Sequence, residues 1–359
     1  MPRVQLPFFL FLLFFSQSQL LFAQTDEVSA FQNEQPGFFS IVTRSFERWD
    51  LNHDGVLEPR EVDHALMDAE NRGLDACALS ALHVNLKKSE PKLYDRAYFS
   101  ALQLNAKLAK PFLARFKKSQ TKLSRSSREL FAAGAPHLES MHQGKTGDCY
   151  FLSALGSMVS VNPEKVRQMI RLNQDGSYTV SFFGKEPVTV NGPTDGEIAA
   201  FADAYEDGLW LSVIEKAFAK LKISANPDEN EDQMYQAISG GAAGSVIKLL
   251  TGHKCRRYSF EKPENRKEIR PELARAFAEG RLVNTGIKSL SKSGRLSGHA
   301  LAVIDYDPSN DTVKIWNPWG TTKSYASVGL LMQNGIFSMP VDDWLNRFSG
   351  VTFELNKNL

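Results

Sequence analysis

Cysteine is scarce in this chain: Cys77, Cys149 and Cys255 are the only three in 359 residues. That is too few for a disulfide framework, and they form neither a C-x-x-C pair nor a Cys/His cluster at zinc spacing. Charge of one sign is missing too. Lys and Arg number 42 and Asp and Glu 41, so bulk electrostatics selects neither nucleic acid nor an anionic membrane as partner. Phosphate-loop chemistry is also absent. The flexible turn Ser239-Gly240-Gly241-Ala242-Ala243-Gly244 has no G-K-[ST] after it, which excludes a Walker loop, and no strand before it, which makes it a poor dinucleotide fingerprint. The unbroken apolar run Leu6 to Phe15 is too short to span a bilayer. With Arg3 before it and Leu21-Phe22-Ala23 after it, residues 1–23 read as a secretory signal peptide. The expected location is secreted or periplasmic, with no stable membrane association after cleavage. An oxidising compartment leaves a Cys77–Cys255 bond open, although the two fall in segments assigned to different domains.

What is present centres on Gln143-Gly144-Lys145-Thr146-Gly147-Asp148-Cys149 and the apolar run Tyr150 to Met158 behind it. The run reads as a buried helix that begins at the cysteine. A helix N-terminus offers unpaired N–H groups and the positive end of the macrodipole, which favour the nucleophilic thiolate. Gln143 stands six residues upstream, where its amide can reach the same place. Taken alone, Cys149 is equally a small core residue at a turn.

Near the start, a helical pattern (Phe38, Phe39, Ile41, Val42, Phe46, Trp49) leads into Asp50-Leu51-Asn52-His53-Asp54-Gly55-Val56-Leu57-Glu58-Pro59-Arg60-Glu61. Oxygen side chains occupy positions 1, 3 and 5 (Asp50, Asn52, Asp54), and Gly55 takes the sharp turn at 6. Val56 offers its carbonyl at 7, Glu58 stands at 9, and Glu61 supplies a bidentate carboxylate at 12. This is the EF-hand pattern for Ca2+; the bland reading is an acidic turn between helices. Residues 74–104 read as a second, metal-free helix–loop–helix, with Leu93 matched to Leu57.

The expected domains are a helical EF-hand region over 24–110, a basic Ser-rich linker or solvated helix over 111–134 that is open to cleavage, a lobe with Cys149 over 135–250, and a lobe over 251–359 that reads mainly as strand. A site is expected in the cleft between the two lobes. Two further clusters lie in the second lobe. Gly298-His299-Ala300 puts a histidine at the start of an apolar strand, and Asn317-Pro318-Trp319-Gly320 puts an asparagine at the end of the next. Singly these are a strand-end histidine and a turn asparagine. Cys, His and Asn in that order, at this separation, fit a papain-type arrangement in which His moves the thiol proton and Asn orients it.

These blocks resemble the signature blocks of the calpain protease core: Gln143-Gly144-x-x-Gly147-Asp148-Cys149, Gly298-His299-Ala300 and Asn317-Pro318-Trp319-Gly320. The helix Trp210-Leu211 to Lys220-Leu221 and Ser239-Gly240-Gly241 are similar to calpain stretches as well. The resemblance covers roughly 135–355 and implies an α+β fold: a papain-like two-lobed cysteine protease core, here preceded by a small helical EF-hand domain. It implies an endopeptidase acting on protein or peptide, with Cys149 as nucleophile, His299 as base, Asn317 as its orienter, Gln143 in the oxyanion hole and Trp319 near the cleft. Two positions depart from the family. Lys323 stands where calpains often carry a calcium-ligating glutamate, and Ser140 where they often carry an aspartate; a lysine does not ligate calcium. The EF-hand also precedes the core instead of following it. Two other functions remain open: a non-catalytic calcium-dependent binding protein on this fold, and an acyl transferase on the same triad.

Overall fold

The structure, a computed structural model, describes residues 37–86, 94–132, 134–225, 234–290, 296–320 and 332–356. The expected signal segment, Leu93 and Lys323 lie outside the described residues. No helix among the described residues is long and apolar enough to cross a membrane.

Helix α1 (residues 37–49) buries Phe38, Ile41, Val42, Phe46 and Trp49, the i, i+3, i+4 stripe of its sequence. α2 (Pro59–Met67), α3 (Leu74–Leu86), α4 (Arg96–Gln103) and α5 (Ala106–Arg125) complete a helical layer. α6 (Cys149–Val161) and α7 (Pro163–Met169) follow. A small antiparallel sheet then has the order β1 (Ile170–Leu172), β2 (Tyr178–Val180), β3 (Val188–Val190). α8 (Asp195–Ala200), α9 (Trp210–Ile223), α10 (Met234–Ala237) and α11 (Ala243–Thr251) close this half. In the second half, β4 (Cys255–Ser259), β5 (Val283–Leu290), β6 (Leu296–Asp307), β7 (Thr312–Trp316), β8 (Ile336–Pro340) and β9 (Gly350–Glu354) form one antiparallel sheet. The strand order is β4-β9-β5-β6-β7-β8. α12 (Pro263–Ala278) and α13 (Val341–Arg347) pack on it.

The helical layer is not a separate body. One apolar core runs from Phe38, Trp49 and Leu66 through Phe151, Trp210 and Phe218 of the cysteine-bearing half. The sheet has its own core of Phe260, Leu273, Val303, Ile315, Trp344 and Phe353. The two halves meet where α6 packs on β6 and β5, and Ser157 Oγ donates to the Val283 carbonyl of β5 at 2.9 Å.

The linker expected over 111–134 is corrected: it begins inside the 20-residue helix α5. Its serines and lysines read as a solvated segment because the apolar stripe between them (Ala109, Phe112, Leu113, Phe116) is narrow. That stripe is buried. Arg115 and Lys122 are buried as well. Arg115 donates to the Ala199 carbonyl at 2.7 Å and Lys122 to the Phe201 carbonyl at 2.5 Å. These carbonyls end α8, where a helix exposes unpaired acceptors and the negative end of its dipole. The basic residues are thus a docking device. Two smaller differences follow from pairing. The sequence over 163–172 predicts one helix, but it stops at Met169, because Ile170 joins a strand pair with Val180. Strand β8, which the sequence reading missed, pairs Ile336 with Trp316.

Candidate active site

The loop before α6 is shaped by contact. Gln143 N–H donates to the Pro318 carbonyl at 2.8 Å, so the loop carrying the cysteine touches the turn carrying Asn317. At Gly144 a Cβ would stand 2.3 Å from the Phe201 backbone, so only glycine lets the two segments lie together. Asp148 occupies the N-cap position of α6 and Cys149 its first turn. From the other half, β6 and β7 pair with Ala302 opposite Trp316. That register sets His299, three residues before Ala302, near Asn317, one residue after Trp316.

The Cys149 sulfur accepts the Ala300 backbone N–H at 3.5 Å, which brings it against the strand residue next to His299. His299 Nε2 lies 2.8 Å from Asn317 Oδ1. The Trp319 backbone N–H donates to the same oxygen at 3.1 Å. An N–H can only donate, so this oxygen is an acceptor, and Nε2 must carry the ring proton. In the neutral ring Nδ1 is then the free base. Trp319 also stacks on the imidazole, with centroids 4.4 Å apart and 29° between the planes. Cys149, His299, Gly240 and Gly241 line one groove of about 700 Å³ between the halves.

The thiolate expected from the helix terminus meets an opposing effect. Burial pushes the Cys149 thiol above its ordinary value and Asp148 adds to this, while the Ala300 N–H acts the other way. Burial also holds His299 below the usual imidazole range, against its bond to Asn317. Both directions favour a neutral thiol beside a neutral imidazole, because charge is costly where protein replaces much of the surrounding water.

Gln143 differs from expectation in orientation. Its Nε2 donates to the Thr146 carbonyl at 2.7 Å and to Asp148 Oδ1 at 3.0 Å, so both amide hydrogens point away from the groove. The sequence reading did not weigh Asp148 as a partner of Gln143; its place inside the Gly147-Asp148-Cys149 block was the available signal. Ser140 donates to Asp207 at 2.5 Å and to the His137 carbonyl at 2.8 Å. The three cysteines are free, so no Cys77–Cys255 bond is present.

The loop at 50–61 is closed by its own acids. Asp50 Oδ1 and Oδ2 accept the Asp54 and Gly55 N–H groups at 3.2 and 2.8 Å. Glu61 accepts from Leu51 and Asn52 at 2.8 and 3.3 Å and from Glu58 at 2.8 Å. Asn52 Oδ1 accepts from Asp54 N–H at 2.9 Å, and Gly55 takes φ +83°. Val56 pairs with Asp95, and Leu57 N–H donates to the Tyr94 carbonyl at 3.1 Å, one residue beyond the expected partner Leu93. The oxygen donors suit a hard cation such as Ca2+, and the glycine turn suits the loop. Among the described residues, however, no three His, Cys, Asp or Glu side chains are grouped to hold a metal. The Glu61 oxygens face backbone N–H groups instead.

Comparison with known proteins bears on the groove and not on this loop. The family model for "Calpain family cysteine protease" matches residues 106–328, which include Cys149, His299 and Asn317. The chain is 26% identical over 247 residues to the calpain-type cysteine protease ADL1 of Oryza sativa subsp. japonica, covering 63% of this chain and 10% of that protein. It is 27% identical over 243 residues to the calpain-type cysteine protease DEK1 of Arabidopsis thaliana. It is 26% identical over 217 residues to calpain-9 of Rattus norvegicus, covering 53% of this chain and 29% of that protein. The chain therefore spans about a tenth of the plant relatives and under a third of the animal one. The match takes in more than half of the chain, and the chain belongs to the calpain family of cysteine proteases.

Proposed function

We propose that this protein is a cysteine endopeptidase that hydrolyses peptide bonds in the groove between its two halves. Cys149 gives its proton to His299 Nδ1 as its sulfur bonds to the substrate carbonyl carbon. The displaced electron pair moves to the carbonyl oxygen. The Cys149 backbone N–H donates to that oxygen, joined by the Gln143 amide hydrogen that leaves the Thr146 carbonyl while the other stays on Asp148; one such donor lowers the barrier by about 3 kcal/mol. The intermediate collapses, the amine leaves with the proton held by His299, and a thioester remains. A water then loses a proton to His299, attacks the thioester, and frees the acid and the thiol. Asn317 keeps Nε2 protonated throughout, so Nδ1 is the working nitrogen.

One observation carries this reading: the Cys149 sulfur rests on the Ala300 N–H, one residue from an imidazole whose tautomer Asn317 sets. The test is digestion of unfolded casein by the protein and by Cys149→Ala. The substitution should abolish cleavage, and undiminished cleavage would refute the assignment. Incorporation of an amine without hydrolysis would select acyl transfer.

The same proposal assigns Ca2+ to Asp50, Asn52, Asp54, the Val56 carbonyl, Glu58 and Glu61, on the strength of their spacing and the glycine turn. Bound there, the ion would clamp α1 to α2. The composition of residues 1–23 supports export to the periplasm or the exterior, where calcium is plentiful enough to fill even a weak site.

A further inference from the structure

Two acids sit directly behind the nucleophile, in a place where two charges cannot coexist. Asp148 and Glu215 are both fully buried, at 0% exposure. Each has one oxygen accounted for. Asp148 Oδ1 accepts from Gln143 at 3.0 Å, and Glu215 Oε2 accepts the Ala202 N–H at 2.9 Å. Their other oxygens, Asp148 Oδ2 and Glu215 Oε1, are buried with no donor among the described residues. The two carboxyl groups lie within hydrogen-bonding reach of each other. Two bare carboxylates facing each other in a dry site repel and leave both oxygens unsatisfied; one proton between them removes both penalties.

We propose that Glu215 is a positioning residue for the protease reaction: it holds a proton at neutral pH, donates it to Asp148 Oδ2, and through Asp148 holds the Gln143 amide beside Cys149. This rests on the protease reading given above. The proton belongs on Glu215 because of what its neighbours donate. Ionised Asp148 receives two donors, Gln143 and Glu215, one on each oxygen. Protonated Glu215 uses its carbonyl oxygen for Ala202 and its hydroxyl for Asp148. Burial lifts both carboxyls above their ordinary values, so the pair keeps a proton, and the donors around each acid place it on Glu215.

The surrounding charges leave this arrangement intact. Lys122, from α5, is the buried cation that acts on Glu215, but it is bonded to the Phe201 carbonyl and feels Asp203 more strongly than Glu215. Glu197 is held by Lys216 at 2.8 Å and Tyr235 at 3.0 Å. Tyr235 stays neutral, since burial raises its hydroxyl well above the ordinary value.

Glu215→Gln supplies the same donor and acceptor as a protonated glutamate, whereas Asp148→Asn replaces one acceptor with a donor. The experiment combines infrared spectra at pH 7 with steady-state kinetics on a casein-derived peptide. The protein should show the band of a buried protonated carboxyl. That band should disappear in Glu215→Gln and survive in Asp148→Asn. Glu215→Gln should keep kcat within about threefold, while Asp148→Asn and Glu215→Ala lose about 10²-fold in kcat at little change in KM. If Glu215→Ala does not fold, the contrast between the two amide variants decides. The proposal is overturned if the band survives Glu215→Gln, if Asp148→Asn is the tolerated variant, or if both or neither amide variant keeps kcat. Absence of hydrolysis by the unsubstituted protein would overturn the protease reading and the positioning role, while the band still decides where the proton sits.

Discussion

Asn317 Oδ1 lies 2.8 Å from His299 Nε2 and takes the Trp319 backbone N–H as well, at 3.1 Å. The second bond gives the first its direction. Were the carboxamide reversed, its N–H2 would face a backbone N–H, and the imidazole could turn its proton toward the sulfur. Asn317→Ala removes the acceptor and frees the ring. We expect kcat/KM to fall by about 10²-fold, the cost of a misplaced catalytic group, with the melting temperature nearly unchanged. Peptide hydrolysis and a thermal melt check both parts.

The pH behaviour follows from two shifts. Burial raises the Cys149 thiol, so its thiolate forms only as pH climbs past the ordinary thiol range. Burial lowers His299, so the imidazole stays neutral and basic until pH drops below its ordinary range. The acid limb of kcat/KM should therefore lie below about pH 6.5. Alkylation of Cys149 by iodoacetamide should still be rising above about pH 8.5. The other thiols lie further up, Cys255 at about 11 and Cys77 at about 12, both through burial. Mass spectrometry of protein alkylated at pH 8 should find Cys149 labelled first; equal labelling of Cys255 would contradict this.

The helical layer should be indispensable to the core. Leu66 and Gly196 touch, and a Cβ at Gly196 would stand 2.2 Å from the Leu66 carbonyl oxygen. Thr194 Oγ1 donates to that same carbonyl at 2.8 Å. Gly196→Ala should destabilise by about 1–3 kcal/mol, as overpacking does. A chain beginning near Leu130 loses Arg115 and Lys122 from the α8 carbonyls and should fail to fold instead of gaining activity. Denaturant titration and circular dichroism read these outcomes; a folded, active chain from Leu130 would restore the view of α5 as a removable linker.

Glu61 would supply two ligand oxygens to a cation in the 50–61 loop. Millimolar calcium should raise the melting temperature of the protein, and Glu61→Gln should abolish that rise. Calorimetry with calcium and with chelator distinguishes the cases. The same melting temperature in both would leave the loop as a hydrogen-bonded turn.

Among the described residues the groove wall carries Lys248, Lys254 and Arg257 and no Asp or Glu. Peptides with a glutamate near the cleaved bond should bind Cys149→Ala more tightly than their glutamine versions, by about threefold per charge at low salt. Arg257→Glu should reverse the preference. Fluorescence titration reads it, and 0.5 M salt should erase most of it, since screening over about 4–5 Å is then strong.

The helices and strands that frame the groove were legible because their patterns are local. Trp210 to Ile223 has the bounds its stripe predicts, and Thr312 to Trp316 is one strand. The order of cysteine, histidine and asparagine was legible for the same reason, since glycine and apolar neighbours mark each one. What no local pattern holds is who meets whom. Lys122 and Arg115 looked like solvated charge until the end of α8 met them. Ile170 left its helix because Val180 was there to pair with it. The Gln143 amide turned inward onto Thr146 and Asp148. Asp148 and Glu215 lie 67 positions apart in the chain; Asp148 stood inside a block the sequence reading had already marked, yet only the folding of α9 against the start of α6 pressed the two carboxyls into one dry space. Burial and charge pairing depend on which distant segments close over a group, and that is decided by tertiary packing alone.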